Sequence, residues 1–84
     1  MAVATNVHFT LLVKMDGRLR EINFRQRSVI LYNVDTTDER NNRWKFDWSQ
    51  EGEEWTLRPV SPDFPEWIVR NAGAIREKFL EHFL

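Results

Sequence analysis

The chain has 84 residues, of which 42% are hydrophobic and 30% are charged, and its formal net charge is −1. This length supports one hydrophobic core and therefore one domain over residues 1–84. The composition excludes a disordered chain. The absence of cysteine excludes disulfides and thiolate metal sites and favours the cytoplasm. No apolar run in the sequence is long enough to span a bilayer, so we expect no membrane association.

The first two predicted elements form a β-hairpin. Apolar and polar residues alternate over residues 7–15, which is typical of a half-buried strand. Asp16-Gly17 follows, and this pair favours a type I′ turn because both positions require positive φ. Folding at this turn pairs Met15 with Arg18 and Phe9 with Phe24. The sequence therefore predicts antiparallel strands over residues 7–15 and 18–25.

A third strand is predicted over residues 28–34, which are β-branched and aromatic. Its apolar run is continuous, so two orientations remain open. Either Val29 and Leu31 or Ile30 and Tyr32 face the core. The polar residues 35–42 are expected to form a loop.

Two further strands and a helix complete the predicted fold. Strands over residues 43–49 and 54–59 carry alternate aromatic side chains towards the core. From residue 65 to 83 the apolar residues recur at helical spacing. This inward stripe comprises Phe64, Ile68, Ala72, Ile75, Phe79 and Phe83. The predicted fold is α+β, with a five-stranded antiparallel meander and one C-terminal helix packed on one face.

No arrangement of residues points to catalysis, a cofactor or a metal. There are two histidines, His8 and His82, and there is no Gly-x-Ser-x-Gly turn for a serine nucleophile. Asp47 lies between two aromatic residues, but strand alternation places it in solvent. The acidic stretch that begins at Asp35 fails the EF-hand pattern, because Arg40 stands where that loop needs glycine. We therefore predict a non-enzyme with no catalytic, cofactor-binding or metal-binding residues.

The predicted helix carries a second apolar stripe, about a third of a turn from the first. This stripe comprises Val69, Gly73, Leu80 and Leu84. One helix on one sheet does not bury both stripes, so the second predicts contact with a homodimeric copy or a partner helix. The alternative is a helix that is kinked at Gly73 and frayed at its end.

The outward face of the predicted sheet is rich in basic residues. These are Lys14, Arg25, Arg43, Lys45 and Arg58, set against Glu21 and Asp47. Such a face suits a phosphate backbone or an acidic protein. The alternative is a solvated face whose long side chains keep their charges in water. Single-stranded nucleic acid also needs exposed aromatic residues for stacking, and the tryptophans are predicted to point inwards.

These patterns do not specify one function. The favoured hypothesis is a non-enzymatic protein-interaction or assembly module that forms a homodimer or binds a protein partner. A second hypothesis is nucleic-acid binding through Arg25, Arg43, Lys45 and Arg58. A third is a small-ligand pocket between helix and sheet, lined by Trp44, Trp48, Trp55 and Trp67.

Overall fold

A computed structural model describes residues 7–84 of the chain. Five strands form one antiparallel sheet in sequence order, and two short helices follow it. The strands are β1 His8–Met15, β2 Arg18–Ser28, β3 Leu31–Thr37, β4 Arg43–Glu51 and β5 Glu54–Pro59. The helices are α1 Glu66–Arg70 and α2 Ala72–His82. The predicted α+β meander is confirmed.

The β1–β2 hairpin has the predicted turn and register. Asp16 and Gly17 have φ values of 52° and 82°, so both adopt the left-handed conformation that a type I′ turn requires. Met15 pairs with Arg18, and Phe9 pairs with Phe24. Turn chemistry and hydrophobic alternation select the same register, because a slip of one residue would expose the apolar set.

The prediction for β3 is wrong at both ends. Residues 28–34 were expected to form this strand, but Ser28 ends β2 and the third strand runs over residues 31–37. The predicted loop at 35–37 is therefore strand. Thr36 is buried there, and its hydroxyl donates a hydrogen bond to the Glu21 carbonyl at 2.9 Å. Tyr32 and Val34 face the core, which settles the open orientation. The predicted end of β2 at residue 25 is also too early, and β4 extends two residues past its predicted end.

The predicted helix over residues 65–83 is divided in two at Asn71. This residue has φ −98° and ψ 15°, outside the helical region. Its side-chain amide donates hydrogen bonds to the Trp67 carbonyl at 2.6 Å and to Asp16 Oδ1 at 3.2 Å. The break is therefore at Asn71, and Gly73 lies within α2. Neither helix of residues 7–84 has the length and apolar character needed to cross a bilayer.

The core lies between the helices and one face of the sheet. Phe79 of α2 occupies its centre, and its ring lies 4.7 Å from the ring of Trp55 and 5.4 Å from that of Phe24. Ile68 and Ile75 of the predicted inward stripe are also completely buried. Phe83 departs from the prediction, because 57% of its surface is exposed. The helices thus cover the inner sheet face and leave the outer face to solvent.

Candidate interaction surfaces

The second apolar stripe of the helical region is exposed, as an interaction surface requires. We call Val69, Gly73, Leu80 and Leu84 the helix flank. Val69 and Leu80 are 44% and 47% exposed, and Leu84 is fully exposed. Because Asn71 separates the helices, Val69 lies on α1 while Gly73 and Leu80 lie on α2. The continuous part of the flank therefore belongs to α2 and the residues after it.

Gly73 leaves a depression in the surface of this flank, because it has no side chain. A methyl group built on its Cα would meet no atom of residues 7–84 within 4 Å, apart from its chain neighbours and the backbone of its own helix. Packing within the described residues therefore does not require glycine at this position in the first turn of α2. A glycine on an exposed helix face allows the close approach of another element.

Arg76 lies along the same face of α2 and is anchored to the sheet. Its Nε donates a hydrogen bond to the Trp55 carbonyl of β5 at 2.9 Å. Its two terminal amino groups form no hydrogen bond or ion pair within residues 7–84, and the adjacent Glu77 carboxylate forms none there either. The flank therefore combines apolar residues with one cation and one anion that are available to a partner.

A groove of about 630 Å³ crosses the outer face of the sheet. We call it the outer groove. Two basic residues on β2 form one wall, and two on β4 form the other. The wall residues are Arg25, Arg27, Arg43 and Lys45. Asn33 and Asp35 of β3 lie between the walls, Asp47 lies on β4 opposite Asn33, and Val60 also lines the groove. The groove therefore has basic walls and a polar floor.

Hydrogen bonds within the groove hold its floor in place. The Asp35 carboxylate accepts hydrogen bonds at Oδ1 from Asn23 at 2.9 Å and from Arg43 at 3.3 Å. Asp47 Oδ1 accepts one from the Asn33 amide at 3.1 Å. Neither Oδ2 atom accepts a hydrogen bond from residues 7–84. The floor is therefore ordered and keeps two free acceptor atoms.

The predicted basic face is divided by ion pairs. Arg58 lies outside the groove and pairs with Glu51 at 2.7 Å. Arg43 pairs with Asp35, which lies in β3 and not in the predicted loop. Arg25 and Lys45 form no ion pair with the described residues. Lys14 lies on the same face, on β1. Sequence reasoning missed Arg27, because the irregular pairing of β2 between Gln26 and Ser28 carries the strand beyond its predicted end.

The four tryptophans lie on the inner face or on the helices. Trp48 is completely buried and packs on Phe79, which also contacts Trp55. Trp44 and Trp67 are partly buried at the margin of the core. The structure gives each indole a different set of neighbours. Tyr32 is buried as well, and burial raises the pKa of its hydroxyl. Phe46 is the one aromatic residue that the structure places along the outer groove, and it is buried, so no exposed aromatic ring of residues 7–84 lines the groove.

A charged cluster joins the β1–β2 turn to the helices. Asp16 accepts hydrogen bonds from Asn71 and Arg70, which hold the pKa of its carboxyl below the usual value. Nearby, the guanidinium of Arg20 lies on the inner face and pairs with Glu39, and this contact lowers the pKa of Glu39. Glu39 also bridges to Arg18 at 3.2 Å. The carboxylates of Asp16 and Glu39 thus both have partners within the described residues, so these groups form a structural cluster.

The two histidines and Asp47 lie at different places in the fold. The ring of His82 stacks on Phe9 with their centroids 4.1 Å apart, and His8 is exposed at the start of β1. Asp47 lies on the outer face as predicted. Within residues 7–84 no three histidine or carboxylate side chains are grouped so that they could hold a metal ion.

Comparison with protein-family models, with curated proteins and with solved structures finds no match to this chain.

Proposed function

We propose that this chain is a non-enzymatic protein-interaction module that assembles as a homodimer through the helix flank. The observation that carries the proposal is the exposure of Leu80 together with the open space over Gly73, which lies about two turns away along α2. Exposed apolar side chains are common singly, but a contiguous group marks an interaction site. Leu80 lies in the last turns of α2, and the exposed Phe83 and Leu84 follow directly after the helix ends at His82.

A second copy is the favoured occupant because the flank is complementary to itself. In a two-fold dimer the same surface is used by both copies. If two α2 helices pack antiparallel about an axis between Arg76 and Glu77, Gly73 faces Leu80 of the partner subunit. A large side chain then fills the space over a small one. This fit is what ridges-into-grooves packing requires.

The charges on the flank follow the same symmetry. The same axis places Arg76 opposite Glu77 of the partner subunit, and the relation is repeated on the other side. Both groups lack an ion-pair partner within residues 7–84. The predicted cross-pairs thus join opposite charges at the centre of an apolar contact, where they fix the register of the two helices.

The proposal places the dimer in the cytoplasm, because a chain without cysteine does not need an oxidising compartment to fold. Its function is then assembly, with the outer sheet face and the loops left free for other contacts.

Light scattering over a range of concentrations tests the proposal. We expect a mass approaching twice 10.1 kDa for the natural chain and a monomer for Leu80→Glu. The matched control is Leu19→Glu, because Leu19 is 67% exposed but lies on β2, away from the flank. This control should remain a dimer. A monomeric natural chain at high concentration, or equal loss of association in both variants, would contradict the proposal.

A further inference from the structure

The outer groove has the spacing of a site for an extended chain. Neighbouring strands of a sheet lie about 4.8 Å apart, so the walls on β2 and β4 are separated by about 10 Å at the backbone. Each wall carries two cations that are two residues apart along its strand. The strand register places Arg25 level with Asn33 and Asp47, and Lys45 level with Asp35 and Asn23, so the two pairs of cations are offset diagonally across β3. The groove thus offers positive charge on both sides of a central strip.

Charge complementarity indicates an anionic occupant. The groove holds four basic side chains and two carboxylates, although the whole chain has a net charge of −1. Arg25 and Lys45 are exposed and have no carboxylate partner within the described part of the chain. Charge-assisted hydrogen bonds from these groups to a carboxylate or a phosphate would be stronger than bonds between neutral groups.

The floor distinguishes between anionic chains. The Oδ2 atoms of Asp35 and Asp47 accept no hydrogen bond from residues 7–84 and can accept one from an occupant of the groove. A peptide offers one N–H at each residue other than proline, whereas the phosphates of a nucleic acid offer only acceptors and would be repelled. Phe46, the one aromatic residue that lines the groove, is buried, so the groove offers no exposed ring on which a base could stack.

We propose that the outer groove binds an extended acidic peptide segment of a partner protein. Carboxylates of the peptide contact Arg25 and Lys45 on the two walls, and backbone N–H groups of the peptide donate to Asp35 and Asp47. The proposal does not depend on the homodimer, because α2 lies on the opposite face of the sheet.

Fluorescence anisotropy with defined probes tests this site. The first probe is a labelled peptide of alternating Glu and Ser that matches the seven-residue length of β3. The second has Gln in place of each Glu, and the third is an oligothymidine with the same net charge as the first. The protein variants are the double substitution Arg25→Gln with Lys45→Gln, and the control Lys78→Gln. Lys78 is an exposed cation on α2.

We expect the acidic peptide to bind the natural chain and its affinity to fall as salt is raised. Its affinity for the double variant should be lower by roughly tenfold or more, while the affinity for Lys78→Gln should change by less than about twofold. The Gln peptide should bind at least roughly tenfold more weakly. Three results would each overturn the proposal: no binding of the acidic peptide at low salt, equal or tighter binding of the oligothymidine, or unchanged affinity in the double variant.

Discussion

The guanidinium carbon of Arg20 lies 4.5 Å from the centroid of the Trp67 ring. Arg20 is paired with Val13 and therefore projects towards the inner face, where only 14% of its side chain is exposed. Its Nε is buried without a hydrogen-bond partner in residues 7–84. The aliphatic stem of Arg20 thus belongs to the packing between the sheet and α1, and its charge lies at the margin.

This arrangement predicts that packing determines the contribution of Arg20 to stability. Arg20→Ala should reduce the free energy of unfolding by about 2 kcal/mol, because it removes the stem and the contact with Trp67. Arg20→Met should reduce the free energy of unfolding by less, since Met fills the same space and leaves no buried donor without a partner. Urea unfolding measures the free energy of unfolding of both variants. Arg18→Ala is the control, because the Arg18 side chain is 68% exposed. Equal losses for Ala and Met would show that the charge is the dominant contribution.

Phe79 is predicted to be the most sensitive position on α2. It is completely buried and contacts aromatic rings from β1, β2, β3, β4 and β5. Phe79→Ala should reduce the free energy of unfolding by about 3–5 kcal/mol through lost burial and a cavity. The same substitution at the half-exposed Phe83 should reduce the free energy of unfolding by about 1 kcal/mol. If Phe79→Ala does not fold, Phe79→Leu supplies the comparison. A larger loss at Phe83 than at Phe79 would contradict this account of the core.

We predict that the fold loses stability in acid, because Asp38 in the loop between β3 and β4 accepts hydrogen bonds in its ionised form. Trp44 Nε1 donates a hydrogen bond to Asp38 Oδ2 at 3.1 Å, and Asn42 and Arg40 add further donors. Led by the Trp44 contact, these lower the pKa of Asp38 from 3.8 to about 2. The pKa of Asp38 is lower in the folded state than in the unfolded state. The ionised Asp38 carboxylate therefore contributes its full stabilisation of the fold above pH 3.8 and loses it as the pH falls towards 2.

Thermal unfolding followed by tryptophan fluorescence tests this dependence. The natural chain should lose thermal stability over that acid interval, and Asp38→Asn should lose less, because the variant has no carboxylate to protonate. Asp63→Asn is the control, since Asp63 is exposed and lies outside the loop. If the natural chain and Asp38→Asn lose the same thermal stability in acid, protonation of Asp38 is not the cause of the loss.

The sequence predicts those parts of the fold where local chemistry and the hydrophobic pattern agree. Asp16-Gly17 sets one register for the first hairpin, and alternation sets its faces. The end of β3 was missed because Asp35 and Thr36 are polar, and their reasons for being in a strand are partners elsewhere in the chain. The helix break was missed for the same reason, since Asn71 binds Asp16, a residue of the first turn.

The candidate sites likewise differ in whether local sequence or distant partners determine them. The exposure of the helix flank follows from helical spacing, so its residues could be selected from the sequence. The outer groove depends on which cations are neutralised by carboxylates on neighbouring strands. Arg43 and Arg58 were assigned to a free basic face because the strand positions of Asp35 and Glu51 were not predicted.

Gly73 separates the stability of the fold from association. In a Leu80→Glu background, which we expect to be monomeric, Gly73→Ala should raise the free energy of unfolding by less than about 1 kcal/mol, because Gly73 lies in the first turn of α2 and the full helix-propensity gain applies to a helix interior. Gly73→Leu should leave the monomer folded, because the space over the Cα is open. In the natural background, however, Gly73→Leu should abolish the dimer by occupying the place of the partner's Leu80. A dimer of Gly73→Leu with natural affinity would refute close packing at this position.

Disulfide cross-linking between two single-cysteine variants tests the proposed dimer most directly, because the natural chain contains no cysteine. Gly73→Cys and Leu80→Cys are mixed and oxidised, with Lys45→Cys on the outer sheet face as the control partner. A disulfide requires Cα atoms about 4.4–6.8 Å apart, so the antiparallel register predicts a cross-link between positions 73 and 80 of different copies. That mixed product should exceed the disulfide homodimer of either variant. The proposed dimer would be contradicted if Gly73→Cys formed no more mixed disulfide with Leu80→Cys than with Lys45→Cys.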